Sequence, residues 1–177
     1  MSGIAYAVVA LVALQRLAEL LYAQRNTKAL LARGAVEVGK RHYPLIVLLH
    51  LAWLIAIVLA LPPQPSIEWG WIVVFGFLQL VRIWIIWSLG PYWTTRIITL
   101  GNAPLVRRGP YRFVRHPNYI VVALEIASLP LAFGEYWVAV AFSLANVGLL
   151  TWRIREENLA LAPRRIFEEA SGGAANG

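Results

Sequence analysis

The chain has 177 residues, is 59% hydrophobic and only 14% charged, and has a mean hydropathy of +0.63; a soluble domain is typically about 45–50% apolar and about 25% charged. Cysteine is absent and all nine acidic residues are glutamate, which excludes disulfides, thiolate metal sites, a cysteine nucleophile and any triad or magnesium site built on aspartate. The net charge of +7 suits nucleic acid or anionic lipid, but the charges fall in short loops between apolar runs, which favours membrane topology over a nucleic-acid surface.

The length fits one domain, and five apolar stretches divide it. The first runs from Gly3 to Tyr22 with Arg16 and Glu19 as its charges. It lacks a basic leading segment and a small-residue cleavage site, so it reads as a helix that is retained rather than a signal peptide. The second, Pro44 to Leu61, carries no charge, and the third, Trp69 to Leu89, carries only Arg82. About 20 residues rising about 1.5 Å each cross a hydrocarbon core of about 30 Å. The fourth and fifth, Pro117 to Phe133 and Tyr136 to Trp152, are shorter and joined at Gly134 and Glu135. They read as a tight hairpin, spanning or re-entrant. The fold expected is an all-α polytopic membrane bundle of about five helices over residues 1–170, with a low-complexity, disordered tail at 171–177.

Basic residues segregate by loop. Arg25, Lys28, Arg33, Lys40 and Arg41 follow the first helix, and Arg96, Arg107, Arg108, Arg112 and Arg115 follow the third. Arg153, Arg155, Arg164 and Arg165 follow the fifth, while the loop 62–68 and the hairpin turn have none. The positive-inside rule then places the N-terminus outside and the C-terminus in the cytoplasm. Trp53, Trp69, Trp71, Trp87, Trp93, Trp137 and Trp152 lie near helix ends, as interfacial aromatics do.

Chemistry concentrates between Gly90 and Tyr119, GPYWTTRIITLGNAPLVRRGPYRFVRHPNY. Gly109-Pro110 marks a turn, aromatics alternate with cations from Tyr111 to Tyr119, and Pro117 suits the first position of a helix. The amino end of that helix is an anion site for a carboxylate or phosphate; the competing reading is that the arginines anchor to lipid headgroups. After the fifth helix Arg153, Glu156 and Glu157 share a helical face, as a solvated ion-pair face or as a partner to the basic loop. Within the membrane, Arg16 and Glu19 are three apart and so placed to pair locally, Arg82 and Glu125 are at similar depth, and structural pairing is the expected role. His42, His50 and His116 offer no metal-ligand spacing.

GPYRFVRHPNY, the hairpin, and RIREENLAL together resemble the isoprenylcysteine carboxyl methyltransferase family over roughly residues 89–161. The phrases LGPYWTTRI and ALEIASLPL are more similar to a bacterial branch found with type III polyketide synthases, which O-methylates alkylpyrone-like lipids. The resemblance implies S-adenosylmethionine as donor and a lipophilic acceptor with a carboxylate, enol or phenol oxygen. It implies donor contacts from Arg115, His116, Pro117, Tyr119, Glu156 and Glu157, with Arg153 and Glu157 as catalytic residues and Arg153 orienting the acceptor oxygen. Eukaryotic members continue with an aromatic-rich tail where this chain reads LALAPRRIFEEA, which weighs against a prenylcysteine acceptor. An NADPH-dependent reductase of sterol-like lipids and a non-catalytic bundle are the alternatives.

Overall fold

The computed structural model describes residues 2–101 and 106–174, with side chains described for 3–101 and 106–164. Five helices form the body: α1 Ser2–Ala32, α2 Tyr43–Ala60, α3 Trp69–Leu89, α4 Pro117–Leu131 and α5 Tyr136–Ala174. Helices α1, α2, α3 and α5 are long and apolar enough to cross a membrane; α4 is a shorter apolar helix of 15 residues, about 22 Å at 1.5 Å per residue. The architecture is the all-α membrane bundle that the apolar runs predict, with the α4–α5 hairpin turning at Gly134, where φ is +75°.

Helices α2 and α3 match their apolar runs to within a residue. Two others overrun theirs. Helix α1 continues ten residues past Tyr22, and α5 continues beyond Trp152 as a single helix that includes Pro163. Arginine, lysine, glutamate and alanine favour the helix as strongly as leucine does, so a change of solvent from lipid to water does not end the coil. Helix α5 runs through Ser171–Ala174, where composition predicts a disordered tail. Extending an existing helix costs far less than starting one. Residues 175–177 lie outside the described residues.

The core joins Ala5, Val9 and Val12 of α1 to Trp53 and Ile57 of α2, Phe75 of α3, and Val122, Ile126 and Leu129 of α4. Trp53 is fully buried and its Nε1 donates to the Ile126 carbonyl at 3.1 Å. It is a core residue, not an interfacial one, and so is Trp93. Trp69, Trp87 and Trp137 are exposed on the outside of the bundle, as interfacial aromatics are.

Arg82 pairs with Glu125 as the depths suggest, its Nη1 3.0 Å from Oε2. The pair is half of a larger network. Arg16 Nη2 reaches the same Glu125 oxygen at 2.8 Å and Arg82 Nε reaches Glu19 at 2.7 Å, while Arg16 and Glu19 also pair, at 3.1 Å. Gln79 Nε2 donates to Glu125 at 2.8 Å, and Gln15 Nε2 bridges Glu19 and Gln79. Two cations and two anions cancel, and α1, α3 and α4 are tied together in the interior, where an unpaired charge is costly.

The C-terminal ends of α1 and α3, the starts of α2 and α4 and the middle of α5 meet at one end of the bundle. There a two-stranded antiparallel ribbon forms, β1 Val36–Val38 against β2 Ile97–Thr99, with Glu37 opposite Ile98. Arg96 Nη1 lies 3.2 Å from Glu37, and its guanidinium sits 4.8 Å over the Tyr43 ring.

Candidate functional site at the basic end of the bundle

The segment between α3 and α4 is fixed before it reaches the site. Asn26 of α1 donates through Nδ2 to the carbonyls of Gly90 and Trp93, at 3.1 and 2.9 Å. Arg108 Nε donates to the Ser88 carbonyl at 2.7 Å. Gly109 then has φ +58° and lies so close to α3 that a Cβ there would stand 2.0 Å from Ser88 Oγ. Both the backbone angle and the space demand glycine. His116 is the N-cap of α4 and Pro117 opens it, a position where the missing N–H costs nothing.

This start of α4 faces α5. Tyr119, in the first turn of α4, donates its hydroxyl to Glu157 Oε2 and accepts from Arg153 Nε at 2.8 Å. Arg153 Nη2 donates to the Thr95 carbonyl at 2.8 Å, and its guanidinium lies 5.5 Å over the Tyr119 ring. His116 Nδ1 is 3.5 Å from Glu157 Oε1, its Nε2 is 3.2 Å from Asn158 Oδ1, and its ring stacks on Tyr119 at 5.3 Å. Two of the three Arg153 nitrogens are thus committed to fixed partners, which orients the planar guanidinium.

The constellation lines a cavity of about 660 Å³, within the usual range of about 300–1,000 Å³ for small-molecule sites. Tyr92, Trp93 and Tyr111 give it an aromatic wall and β2 an aliphatic one, through Ile97 and Ile98. Among the described residues, Arg96, Arg107, Arg112, Arg115, Arg153 and Arg164 line it against the one carboxylate of Glu157, so this lining is strongly positive. Burial, together with the negative Glu157, pushes the Tyr111 hydroxyl well above its ordinary value. Beside the site, His42 is buried against Trp152, and burial followed by the Arg153 charge holds it below the usual imidazole range.

Of the residues singled out in the sequence, Arg115, His116, Tyr119, Arg153 and Glu157 line this cavity. Two do not. Pro117 is buried and serves as the helix start. Glu156 points away, accepting from Trp152 Nε1 at 3.2 Å and packing beside Gly39. Neighbours on a helix are about 100° apart, so Glu156 and Glu157 cannot both face one cavity. Tyr111, flagged by the alternation of aromatics and cations, lines the cavity, whereas Thr95, whose carbonyl holds Arg153, and Asn118 join the site without a sequence signal of their own; Asn118 occupies the variable place between the proline and the tyrosine of the RHPxY motif.

A family model described as "Isoprenylcysteine carboxyl methyltransferase (ICMT) family" matches residues 71–163. A Bacillus subtilis (strain 168) protein named "Uncharacterized protein YpbQ" is 42% identical over 157 residues, covering 86% of this chain and 94% of its own length. An "Uncharacterized protein" of Haemophilus influenzae is 27% identical over 143 residues, covering 78% of this chain and 83% of its own length. No solved structure matches the chain.

Proposed function

The chain belongs to the isoprenylcysteine carboxyl methyltransferase family of membrane methyltransferases, and from that premise we propose that it is an S-adenosylmethionine-dependent O-methyltransferase of a lipophilic acceptor, working at the cytoplasmic face of the membrane. The observation that carries the reading is the Arg153–Tyr119–Glu157–His116 constellation, built from α4 and α5 on one cavity wall.

The residues fit the donor. S-adenosylmethionine has a carboxylate, an ammonium group and ribose hydroxyls, and the cavity offers cations and a carboxylate side by side. Arg115 and His116 suit the carboxylate, and the α4 amino terminus adds its dipole. Glu157, held by Tyr119 and His116, accepts from hydroxyl or ammonium groups. When bound, the donor supplies a methyl group on a sulfonium, already activated for transfer to oxygen.

The chain's own residues then have modest tasks. Arg153 stabilises an ionised acceptor oxygen and fixes its position, because its other contacts prevent it from swinging. Placement of this kind accelerates a displacement by alignment, and the aromatic and aliphatic walls keep water from the reacting atoms. Glu157 is charge-balanced by its neighbours and serves binding rather than proton removal. An alkylpyrone-like enol is the acceptor that the LGPYWTTRI and ALEIASLPL phrases support.

Calorimetry on detergent-solubilised protein tests the reading. S-adenosylhomocysteine binds the wild type and binds at least tenfold more weakly to Glu157→Ala, consistent with loss of a charge-assisted hydrogen bond of about 1.5–3 kcal/mol. Binding of NADPH with no binding of S-adenosylhomocysteine contradicts it and favours the reductase.

A further inference from the structure

We propose that the segment 107–115 is an anionic-lipid-binding element, which inserts Phe113 and Val114 below the phosphate plane and seats lipid phosphates on the arginines around them. Arg107, Arg112 and Arg115 of the element also border the cavity, but the inference rests on the outward face of the segment and stands whether or not the cavity performs that reaction.

Depth is the first support. Arg108 bonds to the Ser88 carbonyl and Gly109 packs on the Ser88 and Trp84 side chains, so the segment is clamped to the last turn of a membrane-spanning helix. Its first residues therefore start at the level of that helix end. Trp87, in the same turn, is 80% exposed, as a tryptophan at the headgroup level is.

The second support is the composition of the outer surface. Phe113 is 77% exposed and Val114 is 41% exposed, although the segment follows a fixed turn in which Phe113 and Val114 both donate backbone N–H groups to the Pro110 carbonyl. Their outward direction is therefore set by the backbone. In water two adjacent apolar side chains would gain by folding inward; at the headgroup boundary they are already buried. Arg107, Arg108, Arg112 and Arg115 surround them, all exposed, and carboxylates are absent from 106–116. Adjacent apolar and basic side chains at this depth match the acyl–phosphate boundary of an anionic leaflet, where each cation adds to binding. Arg107, Arg112 and Arg115 also line the cavity, so its rim lies within the headgroup layer.

The absence of cysteine from the whole chain makes the test direct. Val114→Cys is labelled with the environment-sensitive dye NBD in nanodiscs of phosphatidylcholine, with or without phosphatidylglycerol, and with doxyl-labelled lipids as quenchers. The expected result is blue-shifted, quenched emission that increases with phosphatidylglycerol and loses that increase at high salt and in Arg107→Gln/Arg112→Gln. Water-like, unquenched emission overturns insertion, and equal quenching in both lipids overturns the preference for anionic lipid. Trypsin gives a second readout without a label: in phosphatidylglycerol discs Phe113→Ser is cleaved several-fold faster than wild type after Arg112 and Arg115. Equal cleavage rates overturn the proposal.

Discussion

Replacing Glu125 by glutamine tests the buried charge network with almost no change in shape. The side chain is 2% exposed and takes bonds from Arg16 at 2.8 Å, Arg82 at 3.0 Å and Gln79 at 2.8 Å. Glutamine keeps the volume but leaves two arginines facing one anion, Glu19, in the bundle interior. Breaking a buried pair by removing one partner costs about 3–5 kcal/mol. For a chain of this size each kcal/mol lowers Tm by roughly 2–4 °C, so Tm falls by roughly 6–20 °C. Circular dichroism melts in detergent measure this directly. The double variant Arg82→Gln/Glu125→Gln restores charge balance and melts higher than Glu125→Gln alone, and the double-mutant cycle with Arg82→Gln gives a coupling of about 0.5–3 kcal/mol. A Glu125→Gln protein that melts with the wild type, or a double variant less stable than the single, would refute the argument that charge neutrality holds α1, α3 and α4 together.

Three further outcomes follow from the same geometry. Arg153→Lys, which cannot reproduce the fork between Tyr119 and Thr95, lowers kcat by about 10–100-fold while donor affinity is unchanged; wild-type turnover would remove the orienting role. Gly109→Ala places a Cβ against Ser88 at φ +58° and costs about 1–3 kcal/mol, seen as faster tryptic cleavage of the 107–115 segment. Adding Ser88→Gly removes the clash but not the backbone strain, so recovery is partial, and wild-type cleavage in Gly109→Ala would contradict the packing. A topology reporter fused at Gly134 reads extracytoplasmic, and a cytoplasmic signal would invert the orientation drawn from the basic loops.

The amino-acid sequence is most legible where one solvent dominates. Unbroken apolar runs mark α2 and α3 almost to the residue, because lipid leaves the backbone no alternative to the helix. Boundaries fail where the solvent changes. Arg25 and Lys28 in α1, and the residues from Arg153 onward in α5, look like a loop and a short extension by hydropathy, yet are helical by propensity. The ribbon is hidden for another reason. Val36–Val38 and Ile97–Thr99 are three residues each, too short to show alternation, and they pair over about sixty positions of sequence. Gly34 and Gly39, both at positive φ, are the punctuation that brackets β1.

The site divides in the same way. Tyr119, Arg153 and Glu157 come together because RHPxY opens one helix of a hairpin and RxxEE leaves the other, a proximity that the short turn at Gly134 enforces. The choice between Glu156 and Glu157 depends on helical phase, and phase alone separates them. Depth suggests the pairing of Arg82 with Glu125, but nothing in one sequence says that Arg16 and Glu19 complete it, because that requires knowing which face α1 presents. The contribution of Thr95 is a backbone carbonyl, which no side-chain pattern can reveal.

Lipid mass spectrometry on bacterial cells carrying the gene tests the central claim most directly, with wild type, Arg153→Lys and Glu157→Ala expressed at equal levels in the membrane. A lipid species gaining the mass of one methylene unit in the wild type, labelled from methyl-deuterated methionine and lost in both variants, is the predicted result. Lipid profiles identical in all three strains, or a labelled lipid that persists in both variants, would contradict it.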